Sequence, residues 1–172
     1  SVKVIVLLDR SGSMGMNPDA HGWTPIDMER ISAFILANAI LNHNEIRHTR
    51  GYDPVEFAIT LFNHNPEEDP LISLSQVQSG AFLREKVLYE MWNKLEASGG
   101  TYFASTLKDH TEYLLRGATP GDKIVRLLFA FTDEDVSDGQ KSKVLGIMEE
   151  ALEKRARLYV IPLGSSNLRE QT

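Results

Sequence analysis

Cysteine is missing from all 172 residues, and that one absence removes a disulfide framework, a thiolate zinc site and a cysteine nucleophile. It also leans toward a reducing compartment, and hence the cytoplasm, without fixing the localisation. No apolar run approaches the roughly 20 residues that a membrane-spanning helix needs, and no charged-then-apolar leader opens the chain. Positive charge is in short supply. The 18 Lys and Arg against 24 Asp and Glu give a net charge of −6, and the basic residues are scattered, so no phosphate-backbone footprint for nucleic acid exists. Glycine and proline number only 12 and 7, which with the absence of any repeat excludes a low-complexity linker. What remains is ordinary globular composition, 42% hydrophobic, in a length that suits one domain across residues 1–172. A chain of this size buries roughly 70% of the surface its unfolded form exposes, so it folds without disulfides or a structural metal.

The apolar residues come in runs of recognisable length. Val2 to Leu8 is nearly unbroken and rich in β-branched types, the pattern of a central parallel strand buried on both faces. Thr24-Pro25-Ile26-Asp27 supplies an N-cap, a first-turn proline and an acid at the third position, so a helix is expected from there to about Asn42. Its stretch from Ile31 to Leu41 is apolar on most sides, which predicts packing between the sheet and neighbouring helices. Glu56 to Phe62 reads as a second strand. The turn-rich Asn63 to Pro70 then leads to a short apolar segment, Leu71 to Leu74, expected as an antiparallel partner at the sheet edge. Leu83, Val87, Met91 and Leu95 recur at helical spacing, and Ser98-Gly99-Gly100 stops that helix. Further helices are expected from about Tyr102 to Arg116 and from Gln140 to Arg155, with strands at Ile124 to Phe131 and Leu158 to Leu163.

This alternation predicts an α/β fold, doubly wound around a mostly parallel central sheet with one antiparallel edge strand and helices on both faces. Ligand sites in such sheets lie beyond the carboxyl ends of the strands. Following chain direction from element to element brings the loops Asp9 to Gly15, Ser98 to Thr101 and Thr132 to Gly139 to that same edge. Between them, Asp9, Ser11, Ser13, Thr101 and Asp133 offer carboxylate and hydroxyl oxygen only. An all-oxygen set with few charges suits Mg²⁺ first and Mn²⁺ second, whereas Ca²⁺ would want more carboxylates. Each piece has a plain structural explanation when taken singly: an Asx-turn after a strand, a threonine N-cap, an acid in a solvated loop. Their arrival at one edge by independent routes favours the metal.

Asp9-x-Ser11-x-Ser13, Thr101 in a Gly-Gly-Thr loop and Asp133 at the end of a buried strand resemble the metal-ion-dependent adhesion site (MIDAS) of von Willebrand factor A (VWA) domains. That family includes integrin inserted domains, and the similarity lies in spacing and element order from Val2 to about Leu163. It implies a Rossmann-like fold in which Ser11, Ser13 and Thr101 give hydroxyls to the ion while Asp9 and Asp133 lie nearby, partly through water. It also implies an open coordination position, filled by a Glu or Asp of a protein partner. The function implied is noncatalytic adhesion or assembly. Two carboxylates against a divalent ion leave an occupied site near neutral, so an incoming carboxylate is not repelled.

Two departures from the family stand out. Its usual glycine after the last aspartate is replaced here by Glu134 and Asp135, with Asp138 close behind. These acids either tighten the ion, hold a second one, or form a solvated loop before a helix. Only Gly164 to Thr172 follow the last expected strand, so the closing helix of some family members is expected to be missing, as in a domain cut from a larger protein.

The loop from Met14 to Trp23 carries Met16, His21 and Trp23, and with Tyr102 and Glu134 these are candidate partner contacts. His43 and His48 are poorly spaced for zinc. The main alternative is a Mg²⁺-dependent phosphoryl-transfer hydrolase using Asp9 as nucleophile. Such enzymes place a second acid two residues on, where this chain has Ser11. A structural domain with a merely stabilising ion is a third reading. Glycine-rich nucleotide-binding signatures are absent.

Overall fold

β-Branched and leucine side chains that find apolar partners on both faces make Val2–Asp9, here β1, the central strand of the sheet. The computed structural model describes residues 2–63, 69–72, 89–90, 92–100, 102–133 and 138–163. After β1 come a 3₁₀ turn at Gly12–Gly15, α1 at Pro25–Thr49, β2 at Glu56–Phe62 and a short β3 at Asp69–Ile72. Then follow α2 at Phe103–Leu114, β4 at Val125–Thr132, α3 at Asp138–Glu153 and β5 at Ala156–Pro162. Residues 89–90 and 92–94 are also helical; the remainder of the helix expected around Leu83 to Leu95 lies mostly outside the described residues.

The strand order is β3-β2-β1-β4-β5. β2, β1, β4 and β5 run parallel, and β3 pairs antiparallel with β2. Alternation along β1 sends Val4, Val6 and Leu8 to the face covered by α1, and Ile5 and Leu7 to the face covered by α2 and α3. The result is two hydrophobic layers that share one sheet. Burying a side chain of this size contributes roughly 1.5 to 3 kcal/mol, so β1, with Val4 to Leu8 all buried, anchors both layers.

The entry to α1 follows the capping logic: Asp27 accepts hydrogen bonds from the Thr24 amide at 3.0 Å and from its hydroxyl at 2.9 Å. Its exit does not fall near Asn42. The helix continues to Thr49 because Asn44, instead of ending it, turns inward and bonds both backbone groups of Val55, at 2.7 and 3.0 Å. Nor is its middle covered on most sides. The buried stripe is Ile26, Ala33, Ala37 and Leu41, whereas Ile35 is 64% exposed and Ile31 and Phe34 lie on the open side as well. Met14, expected in a loop, is wholly buried in the 3₁₀ turn and joins the α1 layer. Strand and helix ends elsewhere shift by one to a few residues, most usefully at β4, which runs on through Thr132.

Candidate functional site

The chain leaves β1 toward β2 on one side and reaches β4 on the other, so the order of the sheet reverses between β1 and β4. At such a point the loops that follow the two strands diverge to opposite faces and leave a crevice. Asp9 ends β1 and Asp133 directly follows β4.

Asp9 is fully buried, and its two oxygens are both used. Oδ1 accepts the Ser11 amide at 2.8 Å, a tight local turn, and Oδ2 accepts the Thr132 hydroxyl at 2.6 Å. The turn brings the Ser11 and Ser13 hydroxyl oxygens to 3.2 Å from each other, and Ser13 Oγ donates to Asp133 Oδ1 at 3.1 Å. Asp9, Ser11, Ser13 and Asp133 therefore form one connected oxygen cluster. It grades from buried Asp9 and Ser11 to half-buried Asp133 and exposed Ser13, so it opens to solvent on one side.

Main-chain bonds dock the next loop onto this turn. Gly12 N–H donates to Gly99 C=O at 2.6 Å, Ser98 N–H to Arg10 C=O at 2.8 Å, and Arg10 N–H to Phe62 C=O at 2.8 Å. The Asn63 amide adds a bond to Ser98 C=O at 3.1 Å. Glycine suits this close approach: a Cβ at position 12 would lie 3.2 Å from the Gly99 oxygen, tight enough that the Gly99 loop would have to give by a few tenths of an ångström. Arg30 fastens the preceding segment by donating to Leu95 C=O at 2.5 Å. Ser98 and Gly99 are thus joined to the turn that carries Ser11 and Ser13, while Thr101 and Glu134 lie outside the described residues, as do Asp135 and the side chain of Asp138. Met16, Trp23 and Tyr102 are exposed, as partner contacts must be.

Two residues of the site escape sequence reasoning. Thr132 reads in the sequence only as the neighbour of Asp133, yet it holds the far oxygen of Asp9. Glu29, on the first half of α1, is 0% exposed and has no hydrogen-bond partner at either carboxylate oxygen. Burial pushes its carboxyl well above the usual glutamate range, the Asp9 charge adds to this, and the nearby Asp9 amide only partly offsets it. Asp133 is also raised, first by burial, against the opposing pull of the Ser13 hydroxyl and with a further push from Asp9. Among the described residues no salt bridge reaches Asp9, Glu29 or Asp133. The only sequence signal for Glu29 is its register: it shares the inward stripe of α1 with Ile26 and Ala33.

The donor set fits a hard divalent ion. It is all oxygen, part carboxylate and part hydroxyl, preassembled, and its acids repel one another when no cation is between them. Among the described residues no group of three or more acidic or imidazole side chains is placed to hold a metal ion.

No protein-family model matches the chain, and no curated protein matches it. Solved structures do. The chain is similar to the manganese-loaded TRAP protein of Plasmodium vivax, with a TM-score of 0.63 at 21% identity over 95% of this chain and 57% of that one. It is similar to the conserved hypothetical protein BatB of Bacteroides thetaiotaomicron, with a TM-score of 0.56 at 18% identity over 94% of this chain and 66% of that one. A von Willebrand factor type A structure from Catenulispora acidiphila matches with a TM-score of 0.55 at 15% identity, over 92% of this chain and 32% of that one. The chain has the von Willebrand factor A fold, and it spans less than two thirds of the length of each of these three structures.

Proposed function

We propose that this von Willebrand factor A fold serves as a divalent-cation-dependent protein-binding module, taking Mg²⁺ or Mn²⁺ at Asp9, Ser11, Ser13 and Asp133 with the Thr101 hydroxyl as a further donor. The observation that carries the reading is the connected cluster from Thr132 through Asp9, Ser11 and Ser13 to Asp133, built at the strand-order reversal from loops of two different strands. The similar Plasmodium vivax structure is manganese-loaded, which supports an ion in this fold. When bound, the ion supplies a Lewis-acidic position that a Glu or Asp carboxylate of a protein partner completes. The chain's own part is to hold the oxygens in place. Asp9 is fixed by two donors, and the exposed side at Ser13 and Asp133 leaves an approach for the partner. Exposed Met16, Trp23 and Tyr102 supply apolar contact area beside a polar centre, with Glu134 in the adjoining acidic loop.

Noncatalytic use is the better reading of the same residues. Asp9 has its oxygens committed to Ser11 and Thr132, and the position two residues on, where a phosphoryl-transfer enzyme keeps an acid, is Ser11. Calorimetric titration with Mg²⁺ and Mn²⁺ tests the site: wild-type protein is expected to bind one ion, and Asp9→Ala to lose the heat. Saturating ion at ~100 times Kd stabilises the fold by about 2.7 kcal/mol, a melting shift that Asp9→Ala must abolish. Pull-down with and without chelator, with Thr101→Ala as a charge-neutral loss of one donor, tests the partner. Capture that persists in chelator would overturn ion-mediated binding, and Mg²⁺-dependent turnover of a phosphatase substrate, lost in Asp9→Asn, would replace it with the enzyme.

A further inference from the structure

Acidic side chains are almost never wholly buried unless they are paired. Glu29 breaks that rule: it is 0% exposed, makes no hydrogen bond of ordinary geometry at either oxygen, and faces the charges of Asp9 and Asp133 with only the Asp9 amide and Arg30 to offset them. For the fold alone this placement is unfavourable, because the nearest residues of the inward stripe, Ile26 and Ala33, are apolar and a methionine or leucine would fill the same volume without desolvating a carboxyl. Glu29 gains a purpose only from something that these acids share. Among the described residues, Glu29, Asp9 and Asp133 do not form a three-acid group placed to hold a metal ion.

We infer that Glu29 is a positioning residue of the cation centre, a buried outer carboxylate that would accept hydrogen bonds from the ligand shell of an ion held at Asp9 and would carry its negative charge once that ion is bound. The inference rests on the metal reading proposed above and extends it to a residue outside the Asp9, Ser11, Ser13, Thr101 and Asp133 set. Two observations carry it: the orphaned oxygens and the shared location with Asp9. Outer-shell partners of this kind orient the ligands and their loss typically costs 10- to 100-fold in metal affinity.

The test is a Mn²⁺ titration followed by the electron paramagnetic resonance signal of the free ion, with the melting temperature in chelator as the companion measurement. Glu29→Gln and Glu29→Met both keep the side-chain volume and remove the charge, and Asp9→Ala marks loss of the site. The expected result is a Kd for Mn²⁺ raised at least ~10-fold in both Glu29 variants, with a melting temperature in chelator equal to or above that of wild type. A purely structural role would move the melting temperature downward and leave Kd alone. Wild-type Kd in Glu29→Gln overturns the inference while the metal reading stands, whereas no Mn²⁺ binding by the wild-type protein overturns both. If one variant does not fold, the Kd of the other decides. If neither folds, Glu29 is a structural requirement and the inference fails.

Discussion

At the scale of single residues, the cluster depends on donors that fix Asp9 before any ion or partner arrives. The Thr132 hydroxyl is the clearest case, because it lies 2.6 Å from Asp9 Oδ2 at a fully buried position. Thr132→Val keeps the shape and strands that oxygen, so we expect a loss of about 1 to 3 kcal/mol in urea unfolding and a weaker Mn²⁺ titration. A variant as stable as wild type would mean that the bond contributes nothing net. The contrast between legible and illegible residues follows from chain separation. Asp9, Ser11 and Ser13 sit within one turn, so their chemistry can be read from spacing alone. Thr132 acts across 123 positions, and Glu29 looks in the sequence like any charged residue in a helix beginning Pro-Ile-Asp-Met-Glu-Arg. Only the packing of α1 on the sheet shows that this particular acid faces inward.

At the scale of elements, strands are read well and helix ends badly. β1 and β2 are mostly apolar runs of about the length of the strand, whereas the end of α1 is decided by a contact between residues eleven apart, Asn44 and Val55. Asn44→Ala leaves the N–H and C=O of Val55 without partners in a buried place, and we expect it to cost about 2 to 4 kcal/mol by chemical denaturation. Asn44→Asp retains an acceptor for the Val55 amide and should fall between alanine and wild type. Within β1, Leu7→Ala opens a cavity in the layer under α2 and α3 and is expected to cost about 2 to 5 kcal/mol in the same measurement. A loss under 1 kcal/mol would indicate that this layer collapses around the gap. The exposed run of Ile31, Phe34 and Ile35 shows the limit of composition as a guide: an apolar helix is not thereby a covered one.

At the scale of the whole molecule, electrostatic features occupy the two ends of the sheet. Opposite the oxygen cluster, before β4, Asp122 forms a bidentate pair with the Arg126 guanidinium at 3.0 and 3.1 Å. It also accepts the amides of Thr119 and Ile124. The hydrogen bonds from Arg126, then those from the backbone, hold its carboxyl below the ordinary aspartate value of 3.8. The folded state thus binds this proton less readily than the unfolded state, so the stability it confers is complete above that value and drains away as pH falls further. Thermal melts of Asp122→Asn should lie below wild type at neutral pH, with the gap narrowing steadily as pH falls below about 4; a constant gap at all pH values would assign the effect to packing of Arg126 instead. The fold class, and the sheet edge at which the loops carrying Asp9 and Asp133 meet, are legible because strand alternation and chain direction are global properties carried by many residues at once. At the site end, the Arg10 turn and the Ser98 loop are joined by main-chain groups, Gly12 N–H to Gly99 C=O and Ser98 N–H to Arg10 C=O. Hydrogen bonds made by the backbone do not depend on which side chain a position carries. Any residue but proline at Arg10 or Ser98 keeps these donors and acceptors, so the joint between the two loops is written in the main chain and outlasts a change of side chain at either position.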